Sequence, residues 1–238
     1  MLATVVQCAR GIHRGEPVLG GDVTQSRYSG IMLAGGTSRR MGRDKRFLDL
    51  YGVSLLEHVL ARLRPIVAEL IVVTREPEDL LGLDVRAVTD RYTGMGVLAG
   101  VHAGLRAARY DWAFVVAGDM PLLSRALLTA MASMADDQTV DVIVPRWNGM
   151  LEPLHGLYRA ATCARAAERA LQGGCRRIVA FYPEVRVRVM TEVEVRRWDP
   201  DGESFLNVNT PEEWQAAQAK VQSQPALNAK ERPEGLSF

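Results

Sequence analysis

Short apolar runs separated by longer amphipathic segments set the rhythm of this chain from Gly30 onward. Gly30–Ala34 (GIMLA) is uninterrupted and halts at Gly35-Gly36, the pattern of a strand buried on both faces. Glu69–Thr74 (ELIVVT), Asp84–Val88 and Trp112–Ala117 (WAFVVA) repeat it. Helix signals fall between these runs. Ser54-Leu55-Leu56-Glu57 is a capping box that opens a helix to about Arg64, before Pro65. Glu76–Leu81 reads as a helical turn, and helices are expected over Val97–Arg109 and Ser124–Met134. Strands alternating with helices predict an α/β fold: a single Rossmann-like, three-layer domain with a mostly parallel central sheet and helices on both faces.

The second half loosens the rhythm. Val140–Pro145 reads as a strand, Trp147-Asn148-Gly149 as a hairpin turn, and Glu152–Tyr158 as a returning strand on a mixed edge. A helix over Ala160–Leu171 stops at Gly173-Gly174, and a helical segment follows at Arg176–Phe181. Val185–Met190 alternates Val with Arg, which predicts a half-exposed strand. A late strand is expected around Asn207 and Asn209, before a helix opened by Thr210-Pro211-Glu212-Glu213. Residues 1–27 read as a mobile extension, 28–222 as the domain and 223–238 as a disordered tail.

Polar residues cluster where the apolar runs end. After Gly35-Gly36 come Thr37, Ser38, Arg39, Arg40, Arg43 and Lys45. Glycines admit backbone N–H groups close to an anion and the cations neutralise it, so the stretch suits a polyphosphate. It lacks the Gly-Lys-Ser/Thr of a Walker A loop and the G-x-G-x-x-G of a dinucleotide site. Thr74, Asp90 and Asp119 end the next three strands. In open α/β sheets ligands bind outside such ends, so these residues are expected on one rim. Asp119 follows the most apolar and hence most central run, and is the candidate for Mg²⁺ opposite a polyphosphate. Lys45 would act as a point charge on phosphates and Arg39 as a planar fork.

Composition narrows the chemistry. A formal net charge of +1 gives no global attraction to nucleic acid or anionic membrane. The cysteines, Cys8, Cys163 and Cys175, show no C-x-x-C spacing, and the histidines form no HExxH motif, as in a reduced cytoplasmic chain. No apolar run is long enough to span a bilayer. No Ser-His-Asp or Cys nucleophile stands out, and His102 and His155 sit in apolar segments as structural residues. The reaction should therefore need no covalent intermediate.

LAGGTSRRMGRDK, AGDMP and FLNVNTPEE, with EPLHGLYR and GGCRRIVAF, resemble the MobA-like nucleotidyltransferase family that includes the molybdenum cofactor guanylyltransferases. The likeness runs in motif order from Gly30 to Ala217 and implies the nucleotide-diphospho-sugar transferase type of fold. It implies transfer of GMP from GTP to the terminal phosphate of molybdopterin, with pyrophosphate leaving and Mg²⁺ assisting. By the same resemblance Leu33, Ala34, Gly35 and Gly36 line the nucleotide, while Arg39 and Lys45 meet its phosphates. Asp119 binds Mg²⁺ with help from Asn209, and Asp90 lies near the nucleotide. Asn207, Asn209, Arg176 and Arg177 lie toward the pterin. Transient contact with proteins that donate or accept the cofactor would follow.

Two positions depart from the family pattern. Thr74 replaces an Asn near the base, and Val97 replaces the Pro of Gly-Pro-Leu-Ala-Gly. A Thr cannot offer the paired amide groups that read a purine edge. Gly35-Gly36 in place of Ala-Gly favours guanine by analogy. A cytidylyltransferase or another small phosphorylated acceptor stays open, as does a non-catalytic module that binds the nucleotide or cofactor.

Overall fold

The computed structural model describes residues 28–35, 46, 48–135 and 137–223. Gly36, Arg39 and Lys45 lie outside them, as do the expected extension and the tail beyond Ser223. Eight strands form one sheet in the order β3-β2-β1-β4-β7-β5-β6, with β8 paired to β5. They are β1 (Tyr28–Leu33), β2 (Glu69–Val73), β3 (Arg86–Val88), β4 (Trp112–Ala117), β5 (Val142–Trp147), β6 (Met150–Leu151), β7 (His155–Arg159) and β8 (Val187–Met190). β1 to β4 are mutually parallel, and β8 runs parallel to β5. β7 is antiparallel to both β4 and β5.

Helices cover both faces. They are α1 (Leu55–Leu63), α2 (Val97–Ala107), α3 (Arg125–Ser133), α4 (Ala160–Gln172), α5 (Glu192–Val195) and α6 (Pro211–Ser223). The period-2 alternation of the strands divides the core. Met32, Phe114 and Val116 pack with Val59 and Leu63 of α1 and Leu127 and Met131 of α3. Ile31, Ala113 and Val115 pack with Leu98, Val101 and Leu105 of α2 and Ala164, Ala167 and Leu171 of α4. Gly104 lets α2 lie close to the sheet, because a Cβ there would stand 2.4 Å from Ile31 Cγ2. α1 opens with the expected capping box, the Ser54 hydroxyl accepting from the Glu57 amide while Glu57 Oε2 accepts from Ser54 N at 2.9 Å.

Two expectations are corrected. β7 is not an edge strand but sits between β4 and β5, with His155 opposite Val116 and Tyr158 opposite Val142. Gly156 makes room for the fully buried Tyr158 ring beside it, which a Cβ would meet at 2.6 Å. The segment around Asn207 and Asn209 is not a strand: Val208 is buried, but its N–H goes to the Asp119 carbonyl at 2.9 Å rather than into a ladder. The helical segment expected at Arg176–Phe181 is present as a 3₁₀ helix, Ile178–Glu184, with Pro183 inside it. Among the described residues no helix is long and apolar enough to cross a membrane.

Candidate active site

The chain builds β1, β2 and β3 outward in one direction, then returns to place β4 on the other side of β1. This reversal opens a crevice between the ends of β1 and β4, where open α/β sheets bind ligands. The strand ends are level, since Leu33 is in register with Val73 and with Ala117, and Val73 with Val88. The ladder then continues one residue further. Ala34 N–H donates to Val73 O at 2.9 Å, Thr74 N–H to Val88 O at 2.9 Å, and Gly118 N–H to Leu33 O at 3.0 Å.

Leu33, Ala34, Gly35, Thr74, Asp90 and Asp119 therefore share one rim. Ala34 and Thr74 are buried, Asp90 and Asp119 half-buried and Gly35 exposed. Gly118 is needed for the close approach of β1 and β4, because a Cβ there would lie 3.1 Å from the Leu33 carbonyl oxygen. Asn209 reaches the same place through the Val208–Asp119 hydrogen bond, and the exposed Asn207 stands beside it. Arg176 and Arg177 approach from the other face of the sheet. The Arg176 carbonyl accepts from Leu98 N–H at 3.3 Å at the head of α2, and both side chains are exposed.

Thr74 is engaged by side chains and backbone at the end of β2. Its hydroxyl accepts from Arg46 Nη1 at 3.1 Å and from Glu76 N–H at 3.2 Å. Arg46 also pairs with Glu76 at 3.2 Å and Asp79 at 3.1 Å, with its side chain only 12% exposed. The residue after Lys45 is thus anchored on the end of β2, a tie the sequence reading missed. Its partners lie some thirty positions away, so no local pattern betrays it.

Segment 152–154 closes the far side of β4: Ala117 N–H donates to the Leu154 carbonyl at 3.2 Å. The Tyr158 hydroxyl holds it by donating to Pro153 O at 2.6 Å, and is itself 2.9 Å from the Tyr182 hydroxyl. Burial raises the Glu152 carboxyl above its ordinary range. On the β3 side, Tyr92 fixes the 91–96 loop by meeting the buried His102 ring edge-on at 5.4 Å. Burial lowers His102 and His155 (the latter to about 3), and pushes the Cys163 thiol up to about 12. These groups are neutral packing residues, unsuited to acid, base or nucleophile duty.

The rim can orient a phosphorylated nucleotide and offer oxygen donors to a hard cation. Among the described residues no three acids, histidines or cysteines cluster as a metal-binding group. Mg²⁺ does not demand one, since it keeps several waters and takes one or two carboxylates plus substrate phosphates. Asp119 with the nearby Asn209 fits that donor set.

Comparison with known proteins identifies the family. Residues 30–187 match the model of the MobA-like NTP transferase domain. A molybdenum cofactor guanylyltransferase of Desulfosudis oleivorans is 36% identical over 82% of this chain and 96% of that protein. A protein of Pelotomaculum thermopropionicum named "Probable molybdenum cofactor guanylyltransferase" is 37% identical over 77% of this chain and 88% of its own length. The crystal structure of molybdopterin-guanine dinucleotide biosynthesis protein A from Archaeoglobus fulgidus superposes with a TM-score of 0.71 at 28% identity, covering 82% of this chain and all of that one. The chain belongs to the MobA-like NTP transferase family.

Proposed function

We propose that this enzyme transfers GMP from GTP to the terminal phosphate of molybdopterin, releasing pyrophosphate and forming the guanine dinucleotide cofactor. The observation that carries the reading is the level crevice between β1 and β4, with Asp119 beside a glycine-bearing strand end. Relatives named for this reaction supply the substrate identities. A phosphate oxygen of the acceptor attacks the α-phosphorus of GTP in line, and the bond to the bridging oxygen of pyrophosphate breaks. The attacking group is already anionic, so little general-base help is needed, and positioning with charge neutralisation carries the rate.

Leu33, Ala34, Gly35 and Gly36 would line the nucleotide, and Arg39 and Lys45 would meet its phosphates. Asp90 would sit by the nucleotide at the β3 end. Asp119, assisted by Asn209, would hold Mg²⁺, which offsets phosphate charge when bound. Asn207 and the pair Arg176–Arg177 would flank the acceptor from the two faces of the sheet. Thr74 would act through Arg46, steadying the end of the phosphate loop, which leaves base selection to other groups. Turnover with GTP and CTP side by side tests the assignment: preference for GTP supports it, and faster cytidylyl transfer would overturn it.

A further inference from the structure

The rim does not stop at Asp119. β5 runs parallel to β4 on the far side of β7, and the two are level, since Tyr158 faces both Ala113 and Val142, and Leu157 both Phe114 and Ile143. Pro145 therefore stands level with Val116, one residue short of the end of β4. Strands about 4.8 Å apart put it about 10 Å from β4. Glu152 is fastened to this point. Its N–H donates to the Pro145 carbonyl at 2.9 Å, and its own carbonyl accepts from His155 N–H at 3.0 Å. The next two residues are held as firmly, Pro153 by the Tyr158 hydroxyl and Leu154 by Ala117 N–H. Glu152 thus has a fixed backbone on the same rim as Asp119, on the side away from β1. Its carboxylate lacks matching partners. Glu57, Glu69, Glu194 and Glu203 are half-buried too, and each holds a backbone N–H or a cation. The half-buried Glu152 side chain makes no such contact among the described residues, and burial alone raises its carboxyl. A partly desolvated carboxylate without donors is unfavourable in the free protein, and a ligand with N–H groups relieves that.

We propose that Glu152 reads the pterin of the acceptor, its two carboxylate oxygens accepting from a ring N–H and the exocyclic amino group beside it. The proposal rests on molybdopterin being the acceptor. The amino-oxo pyrimidine edge of a pterin sets two N–H donors side by side, and an ionised carboxylate offers acceptors only. The guanine of GTP presents the same edge, so position decides between them. The nucleotide reading takes the ends of β1 to β3, and transfer at Asp119 leaves the acceptor to extend the other way, toward β5. Asn207 and Arg176–Arg177 flank that direction. Tyr182, in the 3₁₀ helix that follows Arg177, meets the Tyr158 hydroxyl that holds Pro153, which ties Glu152 to the same neighbourhood.

Initial rates of the full chain with Mg²⁺, GTP and molybdopterin test this, with pterin and lumazine as competitors. Lumazine carries an oxygen in place of the amino group. Glu152→Gln keeps the size of the side chain but turns one of its two acceptors into a donor, which suits lumazine better than pterin. The KM for molybdopterin should rise about 10–100-fold in Glu152→Gln, the range for losing a hydrogen bond to a charged group, while the KM for GTP holds. Pterin should compete better than lumazine in the wild type, and lumazine better than pterin in Glu152→Gln. The melting temperature should not fall, because the variant removes an uncompensated charge. An unchanged KM for molybdopterin, or a wild type with no preference for pterin over lumazine, overturns the proposal. A rise in the KM for GTP instead assigns the carboxylate to guanine and also overturns it. A rise in both KM values with a lower melting temperature marks a structural role, with the same consequence. If the wild type transfers no GMP to molybdopterin, the proposed function falls and the role of Glu152 with it. Where transfer occurs, each of the other contrary results overturns the role of Glu152 alone.

Discussion

The two rims of the sheet deploy their polar groups differently. At the N-terminal ends of the strands, side-chain charges close on one another. Glu69 takes Arg86 at 3.0 Å, the Arg109 amide at 2.7 Å and the Ser29 hydroxyl at 2.7 Å. Asp84 pairs with Arg64 at 2.8 Å, and Asp141 holds Arg186 through bonds of 2.8 and 2.9 Å. A cavity of about 330 Å³ opens here among Arg64, Glu69, Asp84, Arg86 and Arg109. Its cations already have work: Arg64 is the C-cap of α1, and Arg86 donates to the carbonyl of Ala107, the last residue of α2. Positive charge at helix C-termini is stabilising, so the cavity is structural. At the opposite rim Arg46 also pairs with Glu76 and Asp79, but several backbone carbonyls are tied as well. Carbonyls of Asp119, Leu123 and Leu154 are each held from another segment. One rim is closed by ion pairs along several strands, while the other confines its ion pairs to Arg46 at the end of β2, ties its turns and presents Asn207, Arg176 and Arg177 to solvent.

That contrast predicts activity without stability at one rim and stability without activity at the other. Asp119→Asn should lower kcat by about 10²–10³-fold, the range for losing a transition-state charge partner, with an unchanged melting temperature. Lys45→Ala should raise the KM for GTP by about 10–100-fold through loss of a charged hydrogen bond. An unchanged apparent affinity there would break the phosphate-cradle reading. Asp141→Asn should instead cost about 2 kcal/mol in denaturant unfolding, since it breaks a bidentate charged contact. Its kcat should match the wild type.

The smallest effect is a change of slope. His155 is wholly buried, with both ring nitrogens unpartnered among the described residues, and burial lowers it to about 3. An unfolded histidine titrates near ~6.5. The unfolded chain then binds the proton first, so this stability is complete above that pH and is lost as pH falls toward 3. One such proton gives at most about 1.4 kcal/mol per pH unit, and His58, lowered to about 4, adds a second over a narrower window. Unfolding measured from pH 7 to 4 should show His155→Leu with the shallower dependence and no loss at pH 7. An undiminished slope would mean that His155 is not the titrating group.

Much of the parallel half was legible from local pattern. β1, β2 and β4 are continuous apolar runs because both faces are buried, and Ser54 with Glu57 marks the start of α1 in the sequence itself. The rim residues followed from strand direction. Partners distant in sequence were not legible. The insertion of β7 between β4 and β5 depends on pairing that its own residues do not encode. FLNVN alternates like a strand, yet a single N–H of Val208 on Asp119 decides its course. Arg46 looks like one more cation of the loop until Thr74, Glu76 and Asp79 close around it.

The central claim is nucleotidyl transfer in the crevice beside Asp119. GTP labelled at the α-phosphate or at the γ-phosphate, supplied with molybdopterin and Mg²⁺, tests it most directly. The account predicts α-label in a guanine dinucleotide, γ-label in pyrophosphate, and loss of both products in Asp119→Asn. Label from the γ-phosphate appearing on the acceptor, or transfer undiminished in Asp119→Asn, would contradict it.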